Sequence, residues 1–159
     1  MEAFSFQDIL VQSIFSGIAC TGYSIICNAP RKELLFCGIN GFLGWFVYML
    51  IYVYSGHSVN ATLIATMVVT AAARFLSVQR EAPSILYHIP GVLPLVPGAA
   101  VYHTMQAAFS GEILSTYSNA LSGFKLAGAI GIGSLLILVI PYKAFAMIPS
   151  MKHIRHRHK

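Results

Sequence analysis

Charged side chains are scarce in this sequence. Only 9% of its 159 residues are charged, and only five of them are acidic, whereas ordinary soluble domains carry roughly 25% charge. Hydrophobic residues make up 57% of the chain. A soluble fold of this length could not cover so much apolar surface, so the composition predicts an integral membrane protein.

The motifs of most enzymes are missing as well. No pair of carboxylates falls inside an apolar run, and neither a glycine-rich phosphate loop nor an HExxH-type metal motif is present. We therefore expect no enzymatic activity, no cofactor and no metal site. Without a nucleotide site, uphill transport by such a protein would need an ion gradient or a partner.

Cysteine is also sparse, with Cys20, Cys27 and Cys37 lying in or beside apolar runs. An odd number without metal-type spacing argues against a disulfide framework or a zinc site. We interpret the three as small apolar packing residues. A cleavable signal peptide is not evident, because Glu2 and Asp8 precede the first apolar run, where a signal peptide carries basic residues.

The positive charge lies in the loops and at the C-terminus. The net charge is +5, and the last residues read KHIRHRHK. No folded basic domain or aromatic platform accompanies them, so we predict a solvated cytoplasmic tail facing anionic lipid and no nucleic-acid binding. The chain divides accordingly into a single transmembrane domain, 1–145, and a basic tail, 146–159.

Five apolar runs are long enough to cross a bilayer, which takes about 20 residues. If the N-terminus is outside, every Lys and Arg except Lys125 falls on the cytoplasmic side, as the positive-inside rule requires. The sequence thus predicts an all-α membrane protein with five transmembrane helices, its N-terminus outside and its C-terminus in the cytoplasm. The runs cover 6–27, 34–54, 61–78, 84–109 and 120–140.

The fourth run is interrupted by Pro90, Pro94 and Pro97. Proline inside a helix removes a hydrogen bond, and hydrocarbon offers the freed backbone group no other partner. We predict a half-helix that starts inside the membrane with Pro97 at its first position. Over 98–110 it measures about 20 Å, too short to cross about 30 Å of hydrocarbon. The alternative is a structural helix kinked by proline.

This half-helix is a candidate binding site for an anion. Free N–H groups on Gly98, Ala99 and Ala100, together with the positive end of the helix dipole, suit a carboxylate. A polar stripe of Tyr102, His103, Gln106 and Ser110 follows at spacings of three and four. His103 is either a proton carrier or a helix-packing histidine. The predicted substrate-binding residues are Pro94, Pro97, Gly98, Ala99, Tyr102, His103 and Gln106.

Other polar residues are weaker candidates. His88 also lies in the fourth run, and Arg74 and Arg80 either reach the cytoplasmic interface or guide substrate. Lys125 is interpreted as an interface anchor, and Asn40 either bonds across helices or lines a path. The last run is rich in small residues, which predicts close packing against another span or another subunit.

The interrupted stretch resembles a segment of the threonine/serine exporter family. The family carries a P-G-x-x-P-L-V-P-G-like segment, which stands here at 90–98, preceded by Arg80 and Pro83 and followed by Tyr102. The early stretch NAPRKELLFCGINGFLGW is similar to the family's first loop and second span. Where the family often has a basic residue after the tyrosine, this chain has His103, so the charge there depends on pH.

The resemblance covers the length and span order of the family's small five-span half. In this family the small half works with a larger half, either fused to it or encoded as a separate chain. The resemblance therefore implies a bacterial cytoplasmic-membrane subunit of a bipartite, proton-driven exporter of threonine and serine, or of dicarboxylates such as succinate. The larger subunit would be its partner, within an oligomer. The alternative is a structural subunit that stabilises a transporter without lining its path.

Overall fold

The computed structural model describes residues 6–141, and within them every regular element is helical. Among these residues, four helices are long and apolar enough to cross a membrane, and the pair Ile85–Leu95 and Gly98–Phe109, bent by 49°, passes the same test only when taken together. The predicted tail at 146–159 lies outside the described residues. The helices are α1 Phe6–Ile26, α2 Leu34–Ser55, α3 Ser58–Arg80, α4 Ile85–Val92, α5 Gly98–Phe109 and α6 Ile113–Leu138, with a 3-10 turn at Leu93–Leu95.

The helix bounds follow the apolar runs except at the start of the last one. We predicted a start near residue 120, but α6 begins at Ile113. The polar residues that suggested a linker at 110–119 are satisfied inside the helix, since the hydroxyls of Thr116 and Ser118 donate to the carbonyls of Glu112 and Ser115. The true linker is three residues long and turns at Gly111, whose φ is +75°.

Helix α3 lies at the centre of the bundle and packs against α2, α4 and α6. Its buried face is built from small side chains, and three of these are threonines at a spacing of four. Each hydroxyl donates to the carbonyl one turn earlier, so these three hydroxyls require no partner from another helix. The threonines are Thr62, Thr66 and Thr70.

Helices α3 and α6 run in parallel. We name the two ends of the bundle after the two ends of α3, Ser58 and Arg80. Gly133 lies against Thr66 and the Leu63 carbonyl. At the Arg80 end, Arg74 donates to the carbonyl of Ile140 at 2.6 Å. From these contacts, Ser58 is level with roughly Lys125. The part of α6 before Lys125 therefore extends about 18 Å beyond the Ser58 end of the bundle, at 1.5 Å per residue.

Helix α5 packs chiefly against this extension of α6. A side chain at Gly123 would touch Ala100 at an ordinary distance, so the two helices lie close together. The half-helix therefore sits at the Ser58 end of the bundle, while α4 sits at the Arg80 end.

The interruption between α4 and α5 is narrower than predicted. Pro90 lies inside α4 without ending it, and the chain leaves helical geometry only at Val96, whose backbone is extended. Pro97 is the N-cap of α5 and not its first helical residue, because its ψ of 55° is not helical.

Each proline deprives one carbonyl of its usual helical donor, and each of these carbonyls accepts a hydrogen bond from elsewhere. Pro90 cannot donate to Leu86 O, which instead accepts from the Cys37 thiol at 3.4 Å. Pro94 cannot donate to Pro90 O, which accepts from the Cys20 thiol at 3.0 Å.

Pro97 likewise cannot donate to Leu93 O, which instead accepts a hydrogen bond from the N–H of Val96 at 3.2 Å. Neighbouring helices and a local 3-10 turn thus supply the donors that hydrocarbon lacks.

The interpretation of the cysteines as apolar packing residues is therefore incomplete for two of them. Cys20 and Cys37 are fully buried, and both donate to α4. Gly41 makes this geometry possible, because a Cβ at that position would overlap the Cys20 sulfur. Cys27 is exposed.

Replacing Cys20 with alanine should lower the apparent melting temperature of the purified protein in detergent. The buried Pro90 carbonyl would lose its donor at a cost of about 1 kcal/mol, equivalent to about 2–4 °C in a chain of this size. Cys20→Ser keeps a donor and should stay near wild type. Cys27→Ala is the matched control, and an equal melting temperature for Cys20→Ala and Cys27→Ala would contradict the role assigned to the thiol.

Candidate functional site

The first turn of α5 offers fewer free backbone donors than predicted. The N–H of Gly98 donates to Val96 O at 2.7 Å, so it is not free for a ligand, in contrast to our prediction. The N–H of Val101 makes the first hydrogen bond of the helix, to Pro97 O at 3.2 Å. The donors that precede this bond in the first turn are those of Ala99 and Ala100.

The predicted polar stripe lies on the surface of the described chain. Tyr102 is 64% exposed, and His103 and Gln106 are exposed as well. The ring of Tyr102 meets that of His103 edge-on, with centroids 5.4 Å apart. Ala107, on the neighbouring face, is buried where α5 packs on α6. The stripe is thus held by α5 without being enclosed by this chain.

His103 and Gln106 line an open cavity of about 400 Å³ between α5 and the start of α6. Sequence reasoning missed the residues that α6 contributes. They recur at spacings of three and four, a helical signal that we overlooked because we interpreted the stretch as a linker. The added lining residues with polar side chains are Glu112, Ser115 and Asn119, and Ser110 of the predicted stripe lines the cavity as well.

The other predicted site residues lie at the break and not in this cavity. Pro94 is half-buried in the 3-10 turn, and Pro97 is half-buried next to it. Gly98 is exposed, and open space surrounds the position of its missing Cβ. The structure therefore separates the predicted site into a break and a polar cavity further along α5.

A second polar cluster, which the sequence did not point to, joins three elements at the Arg80 end. Arg80 forms a two-pronged ion pair with Glu33, at 2.9 and 3.0 Å. The hydroxyl of Tyr87 donates to the same carboxylate at 2.7 Å, and the Arg80 guanidinium lies 4.5 Å from the centroid of the Phe36 ring. Both interpretations of Arg80, as an interface residue or a substrate guide, overlooked this bond.

The electrostatics of the cluster favour a charged Glu33. The hydrogen-bonded Arg80 guanidinium holds the pKa of the carboxyl below its usual range, and burial works in the opposite direction. The hydroxyl of Tyr87 adds to the lowering. A carboxylate held in this way is a poor proton carrier at neutral pH. Its role is structural, because it holds the elements of the cluster together.

Asn40 bonds across helices, one of the two roles considered for it. Its amide donates to Tyr87 O at 2.9 Å and to Val69 O at 3.4 Å. Gly91 gives it room, because a Cβ there would overlap the amide nitrogen. The Asn40 side chain thus joins α2 to both α3 and α4.

These features define a polytopic helical membrane protein whose polar clusters lie on or against one bent helix pair, α4 and α5. Within residues 12–140 it matches the sequence profile of the family described as "Threonine/Serine exporter, ThrE". The chain belongs to the threonine/serine exporter family, a family of transporters and not of enzymes. This confirms the resemblance and places the chain as a multi-pass protein in the bacterial cell membrane.

Two curated relatives extend well beyond the matched region. A "Threonine/serine exporter" from Corynebacterium glutamicum is 24% identical over 132 residues, which are 83% of this chain and 27% of that protein. An uncharacterised protein from Haemophilus influenzae is 28% identical over 97 residues, which are 61% of this chain and 33% of that protein. The chain thus aligns with about a third or less of each relative. No solved structure matches it.

The Glu33–Arg80 pair should make the stability of the protein depend on acid pH. Because folding lowers the pKa of Glu33, the pair contributes stability above the unfolded pKa of about 4.3 and loses it as pH falls through the folded pKa. Melting temperatures in detergent from pH 7 to about pH 3 should therefore fall in the wild type. Glu33→Gln should start lower at neutral pH and fall less.

The neutral-pH loss should be about 1 kcal/mol, because the Arg80 side chain is 35% exposed and solvent screens the pair. Glu112→Gln removes an exposed carboxylate at the other end of the bundle and is the control. The assignment fails if Glu33→Gln and Glu112→Gln give the same pH profile.

Proposed function

We propose that this chain is the small subunit of a bipartite secondary exporter for carboxylate-bearing metabolites. The candidate cargoes are threonine and serine, or dicarboxylates such as succinate. Family membership supports the exporter role. The exposure of the polar stripe on α5 is the observation that carries the subunit arrangement, because this chain alone leaves the stripe and the cavity beside it open.

The cavity between α5 and α6 suits a zwitterion or a dianion at the Ser58 end. Inside the cavity, the imidazole of His103 faces a negative group of the cargo. The first-turn donors of Ala99 and Ala100 offer a separate anion site at the break. Glu112 offers a carboxylate to the ammonium of an amino acid. The open space at Gly98 gives the cargo access to the backbone beside Pro97, and His103 carries the proton that drives export.

The proposed topology has five spans, with α4 and α5 together forming the fourth, in a single transmembrane domain over 1–145. The contacts group the basic residues as this topology requires. Arg31 and Lys32 adjoin Glu33, which pairs with Arg80, so these cations share one end of the bundle. That end faces the cytoplasm, and the Ser58 end faces outward.

Association with the larger subunit and with other copies of the chain involves α6. Gly123 and Gly133 pack within this chain, whereas Gly128 and Gly131 have open space around them. Small residues of this kind let a second helix approach closely.

The second candidate function is that of a structural subunit. The Glu33–Arg80–Tyr87 cluster favours a structural function, because the cluster holds the helices together without placing a free polar group in a transport path.

Cysteine labelling should confirm the orientation. In a Cys27→Ser background, a membrane-impermeant maleimide should label Ser58→Cys in intact cells, and it should label Arg31→Cys only after the membrane is permeabilised. Labelling of both positions from the same side, or in the reverse order, would overturn the proposed topology.

Export by the complex of this chain with the larger subunit, reconstituted in liposomes, should depend on α5. Gly98→Leu should block access and reduce threonine efflux at least tenfold, and His103→Gln should flatten the pH dependence of efflux between pH 6 and 8. The chain alone should not transport, because its site is open to the surroundings.

Two matched variants control this experiment. Gly22→Leu adds the same side chain at an open, exposed helical position of α1, and His57→Gln replaces an exposed histidine between α2 and α3. Neither should change efflux. If Gly98→Leu and His103→Gln complexes assemble and export at wild-type rates at every pH, α5 is architectural and the proposed site on it is wrong.

A further inference from the structure

A smaller cavity lies at the Arg80 end of the bundle, between α3, α4 and α6. Its volume is about 170 Å³, and it shares no lining residue with the cavity between α5 and α6. Most of its wall is apolar, and Ile85 and Leu138 contribute to it. Its polar groups come from Thr70, Arg74, Ser84 and His88.

His88 brings an unsatisfied polar atom to this cavity. Its Nδ1 is buried and has no hydrogen-bond partner among the described residues. Buried polar atoms in proteins are nearly always hydrogen-bonded, so an exception points to a missing partner. The cavity that His88 lines is the space from which such a partner would approach.

The other polar groups suit a ligand with a carboxylate. Arg74 is held beside the cavity by its bonds to Leu138 O at 2.9 Å and Ile140 O at 2.6 Å, and its positive charge favours an anion in a region of low dielectric. The hydroxyl hydrogen of Thr70 is taken by Thr66 O, so its oxygen can accept. The Ser84 hydroxyl makes no capping bond to α4.

We infer that this cavity binds one small solute that carries a carboxylate and a second polar group. The carboxylate faces Arg74, the second polar group bonds to His88 Nδ1, and a short aliphatic part lies against Ile85 and Leu138. A volume of about 170 Å³ fits a single amino acid or a short dicarboxylate, since pockets for drug-sized ligands measure about 300–1,000 Å³.

The inference rests on the proposed export function and assigns the loading site of that exporter. Under the proposed orientation the Arg80 end faces the cytoplasm, where an exporter takes up its cargo. His88 precedes the break on α4 and His103 follows it on α5. The bent helix pair thus carries one polar site at each end, and cargo passes from the first to the second.

Transport from the cytoplasmic side tests the inference. In inside-out vesicles containing the full chain and the larger subunit, initial rates are measured against the concentration of threonine, and separately of succinate. His88→Leu should raise the half-saturating concentration at least tenfold for the transported probe with a smaller change in maximal rate. His88→Gln, which keeps a polar group at this position, should recover part of the loss.

His57→Leu is the matched control, because it replaces an exposed histidine far from the cavity, and it should match the wild type. If the wild-type complex moves neither probe nor serine, the proposed function itself fails. If the wild type transports and His88→Leu keeps the wild-type half-saturating concentration, the export function stands and the loading site is wrong. Should His88→Leu fail to assemble, the same comparison is made with His88→Ala, and an unchanged half-saturating concentration there overturns the inference.

Discussion

Inside hydrocarbon, a backbone carbonyl that loses its amide donor finds no water to replace it. The path of α4 and α5 depends on how this chain meets that condition. Three prolines remove three donors, and two thiols and one backbone N–H take their place. Because the two thiols belong to α1 and α2, the break is held in place by the helices around it. The position of Gly41 against Cys20, and of Gly91 against Asn40, follows from the same need for close approach.

The two ends of the bundle differ in how firmly they are joined. At the Arg80 end, Glu33 links the loop before α2 to α3 and α4, and Arg74 binds the last carbonyls of α6. At the Ser58 end, α5 packs chiefly against α6 and exposes most of its side chains. Motion in this chain is therefore easiest at α5 and hardest where α3 and α4 meet, since local stability follows buried contacts.

Hydropathy was enough to predict the helical class, the approximate helix bounds and the place of the interruption. It could not predict the start of α6, because Thr116 and Ser118 read as linker residues until their bonds to Glu112 and Ser115 are seen. The predicted half-helix start also placed the Gly98 N–H in a binding site, although that N–H donates to Val96 O in the turn. The pairing of Glu33 with Arg80 joins residues 47 positions apart, and a single sequence carries no signal for such a contact.

The exchange of proline donors for cysteine donors also constrains how the sequence can change over time. A proline at position 94 costs about 1 kcal/mol more where position 20 offers no thiol or hydroxyl, because the freed carbonyl of Pro90 then has no donor. The reverse order is harmless, since a cysteine facing an intact helix costs little. The order of substitution that costs least therefore places the donor before the proline, and a later loss of the cysteine costs the same bond. Residues 20 and 94, and likewise 37 and 90, are therefore epistatic pairs that related sequences should gain and lose together.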